Sequence, residues 1–311
     1  MREFSVPPVA SIGDSANLTD PVWDNAEIAP DDVQFARHTA SGWQDVTCAE
    51  FRDQVVALAG GLIAAGIEPG ARVGLMSRTR YEWTLIDYAI LAAGAVTVPI
   101  YETSSAEQVQ WIMEDSGAVA CFVETEAQAA MMATRVWLID QDLPTGDTQD
   151  VEARRRAIRA DDIATIIYTS GTTGRPKGCI LTHRNMLSDI ANAVPGLPNL
   201  FTPGASTLLF LPLAHSFARL IQIGVVQART RMGHTSDVKN LVDDLKAFQP
   251  TFVLSVPRVF EKVYNGAKQR AHADGKGAIF DRAERVAIAY SQAERPGFAL
   301  NAQHRLFDRL V

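Results

Sequence analysis

The sequence predicts an α/β fold with two mainly parallel sheets flanked by helices, and three observations carry that prediction. Short apolar, β-branched runs alternate with stretches of helical periodicity. The turns between them are short, as expected where strands are joined through covering helices. Two of the helices open on a hydroxyl residue followed three positions later by Glu, the reciprocal cap that satisfies orphan N–H groups at a helix start.

Residues 1–30 are mixed polar and proline-containing, and are expected to wrap the surface. Thr47 with Glu50 opens a helix whose apolar positions Phe51, Val55, Leu58, Ala59 and Leu62 recur at helical spacing. Pro69-Gly70 turns the chain into a strand at Ala71–Met76. A helix over Tyr81–Ala93 and a strand at Val96–Ile100 follow. Ser104 with Glu107 is expected to cap a third helix ending near Gly117, before a strand at Ala118–Val123. Only the 12 residues Glu124–Arg135 separate that strand from the next, Val136–Ile139, which is tight for a parallel crossover and leaves the pairing open. Gln141–Glu152 is acidic, and Arg154–Arg156 with Arg159 is basic; a solvated linker or helix face is expected there.

A second α/β set begins with a buried strand at Ile163–Tyr168. Thr182 N-caps a helix over His183–Ala193. Strands at Ser206–Leu211 and Thr251–Val256 alternate with helices at His215–Gln227 and Val238–Phe248. Two more helices follow, the later one presenting Ile279, Phe280, Ala283, Val286, Ala287 and Tyr290 on one face. The last carries Leu300, Leu306, Phe307, Leu310 and Val311, an apolar face that asks for a continuation, so the chain reads as an N-terminal fragment. The expected organisation is a first subdomain over residues 1–160 and part of a second over 161–311.

Bulk properties narrow the function classes. The chain has 311 residues, 47% of them hydrophobic, enough for a large core. Its net charge of −7 argues against a general nucleic-acid binder, which carries a basic stripe. Cys48, Cys121 and Cys179 share no metal-ligand spacing and are expected to be small buried hydrophobes in a reduced, cytoplasmic compartment. The uncharged run Tyr88–Tyr101 is too short to span a bilayer. No transmembrane segment is expected; contact with a membrane surface stays open.

The chemistry concentrates after the Ile163–Tyr168 strand. Thr169-Ser170-Gly171-Thr172-Thr173-Gly174 is followed by Arg175-Pro176-Lys177-Gly178. Two glycines let backbone N–H groups turn toward a ligand without a Cβ in the way. Four hydroxyls and two cations add donors, and no carboxylate opposes them. Such a loop is built for a polyanion, above all the phosphates of a nucleotide. It is not a Walker A loop, because the glycine spacing is wrong and Lys177-Gly178 stands where Lys-Ser/Thr is needed.

This string resembles the phosphate-binding signature of the adenylate-forming enzymes: acyl-CoA synthetases, luciferases and peptide-synthetase adenylation domains. Leu211–Leu220 (LPLAHSFARL) and Pro250–Asn265 (PTFVLSVPRVFEKVYN) look most like a bacterial long-chain fatty-acyl-CoA synthetase. The resemblance runs along the whole chain. It implies an incomplete adenylate-forming N-terminal large domain, with ATP, Mg²⁺, a fatty acid and coenzyme A as ligands. Thr169 to Gly174 and Lys177 would grip the β- and γ-phosphates. His215 would stand beside the adenylate and carboxylate site, with Phe217 and Arg219 flanking it. Ser255 and Val256 would border the acyl tunnel. The family's adenine-stacking segment, magnesium-binding Glu, ribose-binding Asp and lid Lys have no counterpart in this sequence, so the chain by itself is expected to be inactive. Two rivals remain at this stage: a nucleotide-binding relic or partner-dependent module, and an acyl-AMP ligase that loads a carrier protein.

Overall fold

In the computed structural model, residues 5, 7–39, 41–141, 143–169, 175–237 and 240–308 are described. The chain divides into two compact units, one up to Leu254 and one from Ser255 onward.

The first unit holds ten strands in two sheets. The six-stranded sheet has the order β6(Arg135–Leu138)–β5(Ala120–Val123)–β3(Arg72–Met76)–β4(Val96–Ile100)–β7(Ile163–Thr169)–β8(Lys177–Thr182). Only its last pair, β7 with β8, is antiparallel. The four-stranded sheet runs β2(Gly42–Thr47)–β1(Val33–Thr39)–β10(Arg231–His234)–β9(Ser206–Leu209), again parallel except at one edge, β1 with β2. Two mainly parallel sheets are therefore present, each closed by an antiparallel edge strand. Residue 160 is not a boundary between them: β7 and β8 join the earlier strands, while β1 and β2 join the later ones.

The layers meet on α3 (Tyr81–Ala92), every residue of which is buried. A helix that is apolar nearly all round has no solvent face to offer. It touches β1 of one sheet and β3 and β4 of the other. Three polar residues on α3 are all partnered. Glu82 holds Arg37 and Arg80 at 2.6 Å each, Thr84 meets Gln222 and His234, and Asp87 meets Arg219. Arg219 and Gln222 lie on α8 (Ser216–Gln227), so this polar network ties α3, α8, β7 and β10 together.

Several expected elements stand as read, and others shift. Thr47 and Glu50 form a complete capping box at α2 (Cys48–Ala64), and its five apolar positions are buried. The cap of α4 (Ala106–Ser116) is Ser105 with Gln108, one residue beyond the Ser104–Glu107 pair, because the Ser104 N–H is consumed in a turn to the Tyr101 carbonyl. β5 and β6 do pair in parallel, the tight connection being met by the one-turn helix α5 (Glu126–Ala129) with its own Thr125–Gln128 box. No strand forms over Thr251–Val256. One bridge, Thr207 to Phe252, replaces it, and Ser206 and Thr251 exchange side-chain hydrogen bonds where a ladder would run.

The basic run behind α6 (Val151–Ala157) is not simply solvated. Arg155 is buried, paired with Asp20 at 2.7 Å and Glu152 at 3.0 Å, and stacked on Trp23. Cys48 and Cys121 are buried as expected, but Cys179 is exposed on β8, an edge strand with one open face. Among the described residues, no helix is long and apolar enough to cross a membrane.

The second unit is three helices, α10 (Pro257–Ala273), α11 (Gly277–Gln292) and α12 (Phe298–Asp308). The predicted α11 face holds: Phe280, Ala283, Val286 and Ala287 line an apolar cavity of about 440 Å³. Leu310 and Val311 lie outside the described residues.

Two buried histidines make the first unit acid-sensitive. His183 accepts the Leu18 N–H at Nδ1 (3.1 Å), and burial pushes its imidazole down to about 4. Burial pushes His234 down to about 3. Both are neutral in the fold and must charge in the unfolded chain below an ordinary value near 6.5. Their stabilisation is therefore complete above that value and is lost as pH falls toward about 4 and 3. The linkage predicts a loss of about 4 kcal/mol between pH 7 and pH 5 for the pair, read as a falling urea midpoint. His183→Asn keeps an acceptor for Leu18 and should flatten that fall. A midpoint independent of pH in this window would refute the assignment.

Candidate active site

In an open sheet, ligands sit beyond the carboxyl ends of the strands. Two cavities of the first unit test that rule. One of about 720 Å³ lies at the amino ends of β3, β4 and β7, lined by Arg72, Val96 and Ile163. The other, about 400 Å³, lies at the carboxyl ends of β4 and β7. Size favours the first, but chemistry favours the second. It gathers Tyr101, Thr103 and Ser104 after β4, Tyr168 and Thr169 at the end of β7, Pro176 before β8, and His215 and Ser216 at the start of α8. Gln108 and Ile112 of α4 complete the wall.

Thr169 and Lys177 are directly opposed across the β7–β8 hairpin, so their side chains lie on one face of the sheet as close neighbours. A hydroxyl and an ammonium are thus presented together at the end of a parallel strand. Ser170, Gly171, Thr172, Thr173 and Gly174 lie outside the described residues.

His215 is the N-cap of α8, and its Nδ1 accepts the Phe217 N–H at 3.2 Å. In the neutral ring the proton must then be on Nε2, leaving a hydrogen-bond donor on a ring that lines the cavity. Thr169 and His215, far apart in sequence, are brought to one cavity.

Other predicted residues are placed differently. Phe217 contributes its amide to the His215 cap, but its ring is 38% exposed and is not part of the cavity wall. Arg219 does not flank the site as a free cation. It is fully buried, its Nη2 donating to both carboxylate oxygens of Asp87 at 2.7 and 2.9 Å, its Nη1 donating to the Thr165 hydroxyl, and its guanidinium set over Trp83. Its charge is spent inside the core on Asp87 and is not presented to the cavity. Ser255 and Val256 open the second unit, where Val256 is the N-cap position of α10 and 40% exposed.

Sequence reasoning missed Tyr101, Thr103, Ser104 and Gln108. The signal was there: the hydroxyl-rich segment Tyr101–Ser105 follows a fully buried strand, as the loop after β7 does. Among the described residues, no group of three His, Cys, Asp or Glu could hold a metal ion.

Comparison with known proteins agrees with the geometry. The chain is 47% identical over its full length to the long-chain-fatty-acid–CoA ligase FadD15 of Mycobacterium bovis, and 46% identical to that of Mycobacterium tuberculosis. It spans 56% of the length of each. The aligned length exceeds the chain, so those relatives carry residues that this chain lacks. The peroxisomal long chain acyl-CoA synthetase 7 of Arabidopsis thaliana is 30% identical over 86% of this chain. Among solved structures, the o-succinylbenzoate coenzyme A synthetase MenE of Bacillus subtilis, in complex with AMP, superposes with a TM-score of 0.68 at 19% identity. That match covers 79% of this chain and 64% of that one. The nonribosomal peptide synthetase FmoA3 superposes with a TM-score of 0.70 at 20% identity, over 83% of this chain and 27% of that one. The α/β fold is thus that of adenylate-forming N-terminal domains. The AMP-binding enzyme model matches residues 22–300, nearly the whole chain, and the chain belongs to that family.

Proposed function

We propose that this chain carries the phosphate-gripping part of an AMP-forming long-chain fatty acid–CoA ligase. The observation that carries the reading is the convergence of Thr169, Lys177 and His215 at the carboxyl ends of β4 and β7, in a chain 47% identical to such a ligase.

In the proposed reaction, a fatty-acid carboxylate attacks the α-phosphorus of ATP. The bond to the bridging oxygen breaks, giving acyl-adenylate and pyrophosphate. The thiol of coenzyme A then attacks the acyl carbon, loses its proton and releases AMP. Thr169, the residues 170–174 and Lys177 would hold the β- and γ-phosphates, supplying donors and charge where negative charge accumulates. The Nε2–H of His215 would orient the attacking carboxylate by a hydrogen bond, since its Nδ1 is committed to the helix cap. Magnesium, when bound, supplies neutralisation of phosphate charge. Ser255, Val256 and Phe217 remain candidates for the acyl path. The site is proposed to act in the cytoplasm, on substrates that reach it from solution or a membrane surface.

The test is ATP–pyrophosphate exchange by the native protein. Exchange that needs a long-chain fatty acid is expected, with acyl-CoA formed once coenzyme A is added. The 311-residue chain alone is expected to form no acyl-CoA, since it spans about half of the ligases it matches. Exchange that ignores fatty acids would sink the substrate reading. A carrier protein as acceptor is the second reading, favoured by a 28% identical chloroplast relative from Arabidopsis thaliana described as a long-chain-fatty-acid–[acyl-carrier-protein] ligase. Acyl transfer to a carrier protein in place of coenzyme A would decide for it.

A further inference from the structure

The residues on either side of the phosphate loop are gripped by one helix. On the incoming side, the Tyr168 hydroxyl donates to Asp115 Oδ2 at 2.6 Å. Its ring fits because position 178 is glycine: a Cβ there would come within 2.9 Å of Ile166 and 3.2 Å of the Tyr168 ring. On the outgoing side, the indole Nε1 of Trp111 donates to the Pro176 carbonyl at 2.9 Å. The Arg175 guanidinium lies over the same indole, 4.8 Å from its centroid.

Trp111 and Asp115 are four residues apart on α4, hence on one helical face. Asp115 is exposed, and Trp111 is half-buried at the rim of the core cluster that includes Val109, Ile112 and Tyr168. An exposed aspartate facing solvent gains little from a single hydrogen bond, and packing at the rim does not by itself require an indole N–H aimed at a hairpin carbonyl. Both make sense as fixed points for the hairpin stems. Arg175 is also accounted for: its charge is parked on an aromatic face beside the loop exit, while Lys177 is the cation opposed to Thr169.

We propose that Trp111 and Asp115 are positioning residues, which hold both stems of the phosphate loop from α4 and so set nucleotide affinity without touching the nucleotide. This rests on the reading of the loop as an ATP grip. The outgoing stem, β8, is an edge strand paired on one side only, so its place would otherwise depend on β7 alone, while the incoming stem ends β7 inside the sheet. Stems already held in place lose less freedom when a ligand binds between them, and that preorganisation appears as affinity.

The test is calorimetric titration of the 311-residue chain with MgATP, alongside hydrogen exchange at the amides of Arg175, Lys177 and Gly178 and the urea midpoint. Trp111→Ala should weaken ATP about tenfold, the combined effect of one hydrogen bond and one cation–π contact. It should also speed exchange at the three amides, by more than the accompanying fall in the urea midpoint accounts for. Trp111→Phe keeps a ring for Arg175 and should recover part of the affinity. Asp115→Asn keeps an acceptor for Tyr168 and should match the parent, whereas Asp115→Ala should not. The proposal is overturned if Trp111→Ala binds ATP like the parent, if exchange is unchanged, or if affinity falls only in step with the urea midpoint. Absence of ATP binding by the parent chain would instead fail the nucleotide reading. The exchange rates would still report on the clamp.

Discussion

Asp87→Ala is expected to destabilise the first unit by about 3–5 kcal/mol, the cost of leaving a buried charge without its counter-ion. Arg219 and Asp87 are 0% and 1% exposed, so water cannot take over the solvation of either. Asp87 accepts both guanidinium bonds and a third from Gln222 Nε2 at 2.9 Å. Gln222 Oε1 then accepts from Thr84, so the Thr84 hydroxyl has no proton left for His234, whose Nε2 must be the donor. Removing one carboxylate therefore strips Arg219 and disturbs the direction of every bond downstream. Against a total stability of about 5–15 kcal/mol, that is roughly a fifth or more of what holds a domain together.

The comparison that isolates the pair is Asp87→Leu with Arg219→Met. With both charges gone the desolvation cost goes too, and such replacements are often neutral. The double variant should unfold at a urea concentration well above that of Asp87→Ala alone. A single variant within about 1 kcal/mol of the parent would place the pair among weakly coupled ions, as exposed pairs are. Because Arg219 also bonds Thr165, one turn of strand before Thr169, the single variant should loosen the end of β7 as well.

That network also marks where the sequence stopped being legible. Strands with continuous apolar runs, such as β4 and β7, were readable because burial on both faces leaves a compositional trace. β8 was not. It is an edge strand with four exposed residues in a row, and Arg175-Pro176-Lys177-Gly178 reads as loop. β1, β2 and β10 were missed as well: β1 and β2 form a tight hairpin with polar, partly exposed positions, and β10 is four residues long and pairs with β1 from far along the chain. The Thr251–Val256 run has strand composition, but one bridge is all that forms there.

The candidate site divides the same way. His215 was legible from its place after a strand and from the family string around it. Arg219, four residues on, was not, because nothing in the sequence says that Asp87 waits on another helix. Tyr101, Thr103 and Ser104 carry no motif, and only the sheet order brings β4 beside β7. Trp111 and Asp115 are further still from any pattern, since their role depends on contacts to a hairpin some sixty residues away (65 for the Trp111–Pro176 bond).

Lys177→Met in the native protein should lower fatty-acid-dependent pyrophosphate exchange by about 10²–10³, the usual effect of removing one preorganised donor from developing charge. The side chain is exposed at the first position of an edge strand, so the fold has little to lose and the urea midpoint should not move. Its neighbour across the hairpin gives the contrast. Thr169→Val removes a neutral donor and keeps the shape, so it should cost less than the charged residue. Uniform binding and catalysis separate in the kinetics. If Lys177 only holds ground-state ATP, KM for ATP rises and kcat stays; if it meets charge that grows during transfer to the leaving pyrophosphate, kcat falls. The geometry favours the second outcome, because Lys177 stands at the loop's exit beside a hydroxyl and no described carboxylate of the cavity wall opposes it. An exchange rate within about threefold of the parent would remove Lys177 from the phosphate grip and leave that role, among the described residues proposed for it, to Thr169.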